Sequence, residues 1–373
     1  MHHPILIVGA GLSGLVLARV LHLHDIDTTV LDLDDSPTTR SQGGMLDLHE
    51  DSGQAALRAA GLYNEFRANV HEGGQAMRIL DQHAVTHVQG EDDGTGDRPE
   101  INRRTLRDLL LNSIPTNTIR WGSKVVSAAS LTDGRHEVVL ADGTTLTTDL
   151  LIGADGAWSK IRPLVSPAVP EYLGLSFVES ALHNADARHP ESAALIGPGF
   201  FFALGEDKGF LAHREPDGGL HVYGALKTDV DWVNRVDQAT LADEFLSHFP
   251  DWDPALRALV ADSDAPLIPR QIHGLPVGHR WDRVPGVTLM GDAAHLMSPF
   301  AGEGANLAML DAADLAAALL AHPGDVEKAL TVHEEAMFPR AEASAAQSVA
   351  SLDLCFRADA PHGLIEAFKS FGA

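Results

Sequence analysis

A single cysteine, Cys355, stands in the whole chain, so no internal disulfide can form and a reducing compartment is expected. Cys355 reads as a small hydrophobe on a helix rather than as a reactive thiol. Basic residues are also scarce: 27 Lys and Arg face 52 Asp and Glu, for a net charge of −25. A field of that sign repels phosphate backbones and anionic lipid surfaces, which disfavours nucleic-acid and membrane partners and leaves solubility as the plain role of the acidic surface. No apolar run approaches the roughly 20 residues that span a bilayer. The start, Met1-His2-His3-Pro4, lacks the apolar segment of a signal peptide. A cytoplasmic monomer is expected. The 20 histidines show no close ligand spacing on one helix face, so no metal centre is expected.

What is abundant is apolar: 45% of 373 residues, enough for two associated domains and too long for one typical core. Ile5-Leu6-Ile7-Val8 has the pattern of a strand buried on both faces. Glycines follow, then a helix from about Ser13 to His24 and a strand at Thr28–Leu31. This strand–turn–helix–strand unit predicts a parallel sheet in an α/β, Rossmann-like domain. Asp51–Gln54 reads as a capping box with Gly61 as the stop. A helix is predicted from about Arg104 to Ser113, and strands over 124–129, 137–140, 145–148 and 150–152. From about 163 to 266 the texture is sheet-rich, with strand-like segments at 176–182, 199–204 and 219–226 and a helix at 240–249. Val287–Met290 returns to the first style, and the chain from Leu307 onward is helical. The expected division is a discontinuous dinucleotide-binding domain (1–75, 100–170 and 268–320), a mixed-sheet substrate domain (76–99 and 171–267) and a helical segment at 321–373.

Two segments carry chemistry. Gly9-Ala10-Gly11-Leu12-Ser13-Gly14 joins the first strand to the first helix. One glycine suits the tight turn, the next lets the main chain approach a pyrophosphate, and the third lets helix and strand pack closely. The helix N-terminus then offers free N–H groups to the anion. With 34 glycines in 373 positions the spacing alone arises by chance roughly 0.3 times per chain, so context decides. Asp32 ends the second strand, where a carboxylate can accept from ribose hydroxyls; a solvated strand end is the alternative, which Asp34 and Asp35 satisfy equally. Further on, a buried strand ends in Gly291-Asp292 and runs into Pro299-Phe300-Ala301-Gly302-Glu303-Gly304-Ala305-Asn306. Asp292 can bind a ribitol or ribose hydroxyl. Main-chain amides of Gly302, Gly304, Ala305 and Asn306, at a helix start, can face a polarised ring edge. His295 reads as a structural histidine. Arg103 and Arg107, four apart on one helix, repel each other and sit more comfortably beside an anion such as a pyrophosphate.

Together with Asp155-Gly156 between them, these segments resemble the class A, FAD-dependent aromatic monooxygenases. Gly43-Gly44-Met45-Leu46-Asp47-Leu48-His49, Pro99–Ser113 and Gly291–Asn306 are most similar to the tetracycline-inactivating monooxygenases of that family. The resemblance runs from Ile5 to about Gln347. It implies a cycle in which NADPH reduces FAD, O₂ adds to the reduced flavin, and a C4a-hydroperoxide places one oxygen on an electron-rich aromatic or polycyclic molecule, tetracycline antibiotics being one class and antibiotic resistance one role. The cofactor carries the chemistry, so no catalytic triad is expected. By resemblance Asp47, Arg103 and Asp292 fall on FAD contacts, Asp155 on the middle motif tied to FAD and nicotinamide, and Arg40 on a nicotinamide position. His221, by its spacing to Lys227 and Trp232, falls on a substrate-contacting histidine. Glu179 stands where the tetracycline enzymes carry a glutamine, Ser298 and Glu303 replace a proline and a glutamine, and their substrate-contacting arginine has no match. Phe200, Phe202, Pro299, Phe300 and Gly302 complete the expected substrate wall; by alternation Phe200 and Phe202 share one face and Phe201 the other, so at least one phenylalanine is core. A hydroxylase of a phenolic or polyketide intermediate, a flavin oxidase or reductase, and a binding protein that sequesters a small molecule without turnover are the alternatives.

Overall fold

In the computed structural model of the chain, residues 1–39, 44–92, 94 and 96–370 are described. His2–Val8 pairs in parallel with Thr29–Leu31 on one side and with Thr145–Gly153 on the other. The nine-residue strand Thr145–Gly153 serves two partners in turn. Its first half pairs antiparallel with His136–Leu140, and its last three residues pair in parallel with Val287–Leu289. Ile119–Arg120 and Val125–Ser130 complete a seven-stranded sheet. The five parallel strands, Ile119–Arg120 among them, end level with one another, so Gly9, Asp32, Trp121, Ala154 and Met290 emerge along one edge. A ligand crevice in an open α/β sheet lies at that edge. Helix Leu12–Leu23 is buried along most of its length and packs against Gly304–Ala321.

The second sheet also has seven strands, in the order Ile268–Gly274, Glu171–Leu182, Leu220–Lys227, Lys208–Arg214, Phe200–Gly205, Met77–Leu80, Thr86–Gly90. All neighbours are antiparallel except Phe200–Gly205 with Met77–Leu80. Alternation gives the sheet two different faces. The back carries Val178, Leu182, Phe201, Phe210 and Val222 against Phe245, Phe249 and Trp252 of the covering helices. The front carries Leu175, Phe177, Phe202, Leu211 and Tyr223 and meets Phe300 and Phe356.

Three expectations need correction. Ile268–Gly274, assigned above to the dinucleotide-binding domain, is an edge strand of the second sheet. Its Pro269, Arg270 and Gln271 give no apolar run, which an edge strand does not require. The capping box at Asp51–Gln54 is not formed: Glu50–Gln54 is a wide π-type turn without a side-chain cap, whereas Gly61, at φ +68°, does stop the helix Ala55–Ala59. The 18-residue helix Gly304–Ala321 has a mean hydropathy of 1.4, enough by composition for a membrane span. More than half of it is buried inside the fold, and it carries the fully buried Asp311.

The 31-residue helix Val326–Phe356 spans both units. Asp325 caps it by accepting from Lys328 N, and it packs on Gly304–Ala321, on the turn Pro299–Ala301 and on the second sheet.

Candidate functional site

The three glycines of the first loop have separate tasks. Gly9 lies at φ +108°, and a Cβ there would sit 2.2 Å from Ala154 O. A Cβ on Gly14 would sit 2.0 Å from Gly9 O, so helix and strand cross too closely for any side chain. Gly11 is different: nothing lies within 4 Å of its Cβ position, and the bare main chain faces open space. The helix that starts at Leu12 has no side-chain cap and no acid in its first turn. Its first amides, including those of Leu12, Ser13 and Gly14, are donors without helical partners, as an anion requires. Asp32 is buried at the base of the loop. Its Oδ2 accepts from Ala10 N at 2.7 Å and its Oδ1 from Asp34 N at 2.9 Å, so the carboxylate also builds the loop.

The second segment meets the first directly. A Cβ on Gly291 would lie 3.4 Å from Ser13 Oγ and 3.0 Å from Ala308 Cβ, so the Gly-Asp turn sits between the first turns of two helices. Gly291 N donates to Asp311 Oδ2 at 3.0 Å. Asp311 also pairs with His295 at 2.6 Å and Arg340 at 3.0 Å. His295 is therefore an internal strut. Asp292 next to it is open to solvent on one side and enclosed by protein on the others. Burial pushes its carboxyl above the usual range, while His295, Arg103 and Arg162 pull the other way. Arg162 bridges the two motifs, donating to Ala157 O, Asp292 O and Ala293 O. Asp155 Oδ2 accepts from Lys160 N at 2.6 Å, but its Oδ1 is buried without a partner, and burial raises this carboxyl as well.

Arg103 and Arg107 diverge. Arg107 is buried, donates to Pro37 O at 2.6 Å, lies 5.7 Å from the Trp121 ring and keeps an unpartnered Nε. Arg103 is half-buried, and its charge acts on Asp292 and Tyr223. Arg40 lies outside the described residues.

The loop before Gly304–Ala321 is zipped to the Met45–Asp47 strand. Asn306 is buried, and its side chain is wholly engaged: Oδ1 accepts from His49 N and Gly53 N, and Nδ2 donates to Asp47 O and Gly302 O. Its side chain is a clamp, which leaves only its main-chain amide for a ligand. Gly302 takes φ +68° with the Asp47 carboxylate 3.5 Å from its Cβ position, and Gly304 has open space there. Glu303, Gly304 and Ala305 lie at the start of an uncapped helix.

The front face of the second sheet looks onto this loop. Phe200 and Phe202 lie on it, ring planes 4° apart with centroids 6.4 Å apart, and Phe201 is fully buried behind them. Phe177 meets Phe300 at 6.1 Å, and Phe300 meets Phe356 edge-on. Pro299 is exposed on the loop. His221 stands in register with His213, and burial lowers both rings, His213 to about 3. His221 Nε2 and His213 Nδ1 are buried without partners. Glu179 pairs with Arg270 of the edge strand.

Sequence reasoning missed His213, Tyr223, Glu215 and Arg270. Tyr223 lies between Phe177 and His221, with its hydroxyl 3.3 Å from the Gly44 Cβ position; burial raises it to about 12. Glu215 ties the two units by accepting from Gly44 N at 2.8 Å and from Asn102 Nδ2. Hairpin parity with His221 would have found His213 and Tyr223; no local signal marks Arg270. Among the described residues no group of His, Cys, Asp or Glu is placed to hold a metal.

Two uncapped helix starts with bare glycine main chain therefore flank the Gly291-Asp292 turn, and Asp155 follows the neighbouring strand end, a set of donors and acceptors that suits a long dinucleotide. The FAD binding domain family matches residues 2–198 and 228–343. Monooxygenase asqM of Emericella nidulans is 33% identical over 84% of this chain and 82% of its own length. In fold, the chain is similar to Klebsiella pneumoniae HpxO complexed with FAD and uric acid (TM-score 0.82, 22% identity, 99% of this chain and 92% of that one). It is also similar to tetracycline destructase Tet(51) (TM-score 0.75, 20% identity, 99% and 95%). Those identities show the fold, and they do not single out the tetracycline enzymes. The chain belongs to the FAD binding domain family and is a flavin-dependent monooxygenase.

Proposed function

We propose that the chain is an NADPH-consuming hydroxylase of an aromatic or polycyclic small molecule, held between the flavin loop and the front of the second sheet. The observation that supports this most is the composition of that face: stacked Phe200 and Phe202 at one end, His221, Tyr223 and the Glu179–Arg270 pair at the other. A flat molecule with an apolar body and a polar edge matches it.

Bound FAD supplies the two-electron and oxygen chemistry. The chain's residues do the rest. The amides of Gly11, Leu12 and Ser13 would hold the pyrophosphate. Asp32 and Asp292 take sugar and ribityl hydroxyls, and Arg103 balances Asp292. The amides from Gly302 to Asn306 would hold the pyrimidine edge. Phe300, Phe177 and Phe202 keep water away from the reacting face. A monomeric cytoplasmic enzyme suits the acidic charge and the lone cysteine.

A biosynthetic hydroxylase is the favoured form of this reading, and tetracycline inactivation the second. Glu179, bound to Arg270, replaces the neutral amide of the tetracycline pattern. The asqM name adds a monooxygenase and no substrate. The test is NADPH oxidation with ¹⁸O₂ across tetracyclines, phenols and fused-ring polyketides. One labelled oxygen in a phenol or polyketide product supports the reading; label in tetracycline alone moves it to the second form. NADPH consumption that yields only hydrogen peroxide with every compound contradicts both.

A further inference from the structure

The flavin loop departs from the resembled pattern at Ser298 and Glu303, and each finds a side-chain partner on another element. Ser298 Oγ lies 2.5 Å from Ser348 Oγ on the helix Val326–Phe356, and Ser348 Oγ donates to Ser298 O at 2.8 Å; both serines are buried. At the other end of the loop, Glu303 Oε1 lies 3.0 Å from His49 Nδ1, and His49 Nε2 lies 2.9 Å from Asp47 Oδ2.

The histidine contact has a consequence for its proton. A neutral imidazole has one donor and one acceptor nitrogen. Two carboxylates on its two nitrogens require two donors, so this ring is an imidazolium. The neutral part of the zipper, Asn306 with His49 N and Asp47 O, sits beside it. A glutamine at 303 would donate its side-chain N–H to Nδ1 of a neutral ring whose Nε2–H goes to Asp47, and ask for no charge. Glu303 asks for one.

We propose that His49 is a positioning residue for the flavin: its doubly protonated ring, bridging Asp47 and Glu303, holds the loop 299–306 against the Met45–Asp47 strand. The inference rests on the loop seating the flavin ring, as proposed above. When the proton leaves, one carboxylate loses its hydrogen bond, and two anions face each other across a neutral ring. The charged groups acting on His49 are Asp47 on its own segment and Glu303 on the loop. On the strand paired with Asp47's, burial and then the charges of Asp47, Asp92 and Glu215 push the Glu100 carboxyl up to about 9, a titration that all three proteins share. The helix Gly304–Ala321 contributes the neutral Asn306. Burial disfavours the charge on His49, but the two carboxylates outweigh it and raise the ring from 6.5 to about 9. A raised group stabilises fully below its unfolded value and loses its contribution as pH rises through the folded one. The latch is thus closed below pH 6.5 and opens through about pH 9.

The experiment has two arms on the full chain. In the flavin-free protein, hydrogen exchange of peptides covering 299–306 is followed from pH 6.5 to 10, corrected for intrinsic exchange. In parallel, the Kd for FAD is measured by fluorescence quenching over the same range, for wild type, Glu303→Gln and His49→Asn. Wild type is expected to lose loop protection and at least tenfold in FAD affinity with a midpoint near pH 9. Glu303→Gln keeps a neutral hydrogen bond and flattens both profiles. His49→Asn is weak at every pH. Titration of the flavin itself acts on all three proteins alike, so the difference between them is the readout. The same pH profile in wild type and Glu303→Gln overturns the proposal. Loop protection that follows the latch while added FAD leaves the loop unprotected retains the latch and overturns the seating of the ring.

Discussion

Gly11 and Gly14 lie three residues apart, and their replacement by alanine separates folding from cofactor binding. At Gly14 the new Cβ would stand 2.0 Å from Gly9 O and 3.2 Å from Gly9 C, backbone atoms of a loop pinned by Gly9 N donating to Leu31 O at 2.7 Å. The helix must retreat by about 1 Å, and overpacking of that kind costs about 1–3 kcal/mol or more. With an unfolding entropy of about 2.1 cal/mol/K per residue, 3 kcal/mol lowers the midpoint of a cooperative chain of this length by roughly 4 °C. At Gly11 the backbone sits at φ −77°, ordinary for any residue, and the methyl meets nothing within 4 Å. Its stability should stay within about 0.5 kcal/mol of wild type. The methyl occupies the approach to the first helix amides, so the Kd for FAD should rise at least tenfold. Thermal unfolding of the flavin-free proteins and flavin titration of each give both numbers. A Gly11→Ala protein that binds FAD as wild type does, or a Gly14→Ala protein of unchanged stability, would refute the division of labour.

Asp292→Ala should weaken FAD retention while the unfolding midpoint holds, since the side chain opens onto the cleft; flavin content after gel filtration checks it. Asp311→Ala should cost about 3–5 kcal/mol, because it leaves the buried His295 and Gly291 N without their acceptor and leaves the half-buried Arg340 with Asp314 alone. Despite burial, the His295 and Arg340 charges hold the Asp311 carboxyl well below its usual range. Its contribution is therefore present above about pH 4 and lost as pH falls, and wild type should lose more stability than the variant on acidification from pH 5 to 3. Tyr223→Phe should keep FAD and raise the substrate KM several-fold, as measured by initial rates of NADPH oxidation.

The first sheet was legible because its strands are uninterrupted apolar runs and its turns carry glycine. Ile5–Val8, Leu150–Ile152 and Val287–Leu289 announce themselves, and Gly9, Gly11 and Gly14 take their meaning from lying between such a strand and a helix. The second sheet was legible only in part. Lys208–Arg214 begins with Lys and Gly and ends with His and Arg, and Ile268–Gly274 carries Pro269, so neither reads as a strand alone; register with Leu220–Lys227 and Glu171–Leu182 makes them strands. Residues that work across distance were hidden for the same reason. Arg270 meets Glu179, and Glu215 meets Gly44, at separations that no local pattern encodes. Asn306 was singled out for its place at a helix start, but its side chain is spent on holding Asp47, His49 and Gly53.

The most direct test of a flavin shared between the two glycine loops is a structure of the chain with FAD and a turned-over substrate. The pyrophosphate is expected at the amides following Gly11, the isoalloxazine pyrimidine edge at Gly302–Asn306, and the substrate between that ring and Phe200, Phe202, His221 and Tyr223. A flavin ring turned away from the front of the second sheet, or a substrate bound elsewhere, would contradict it.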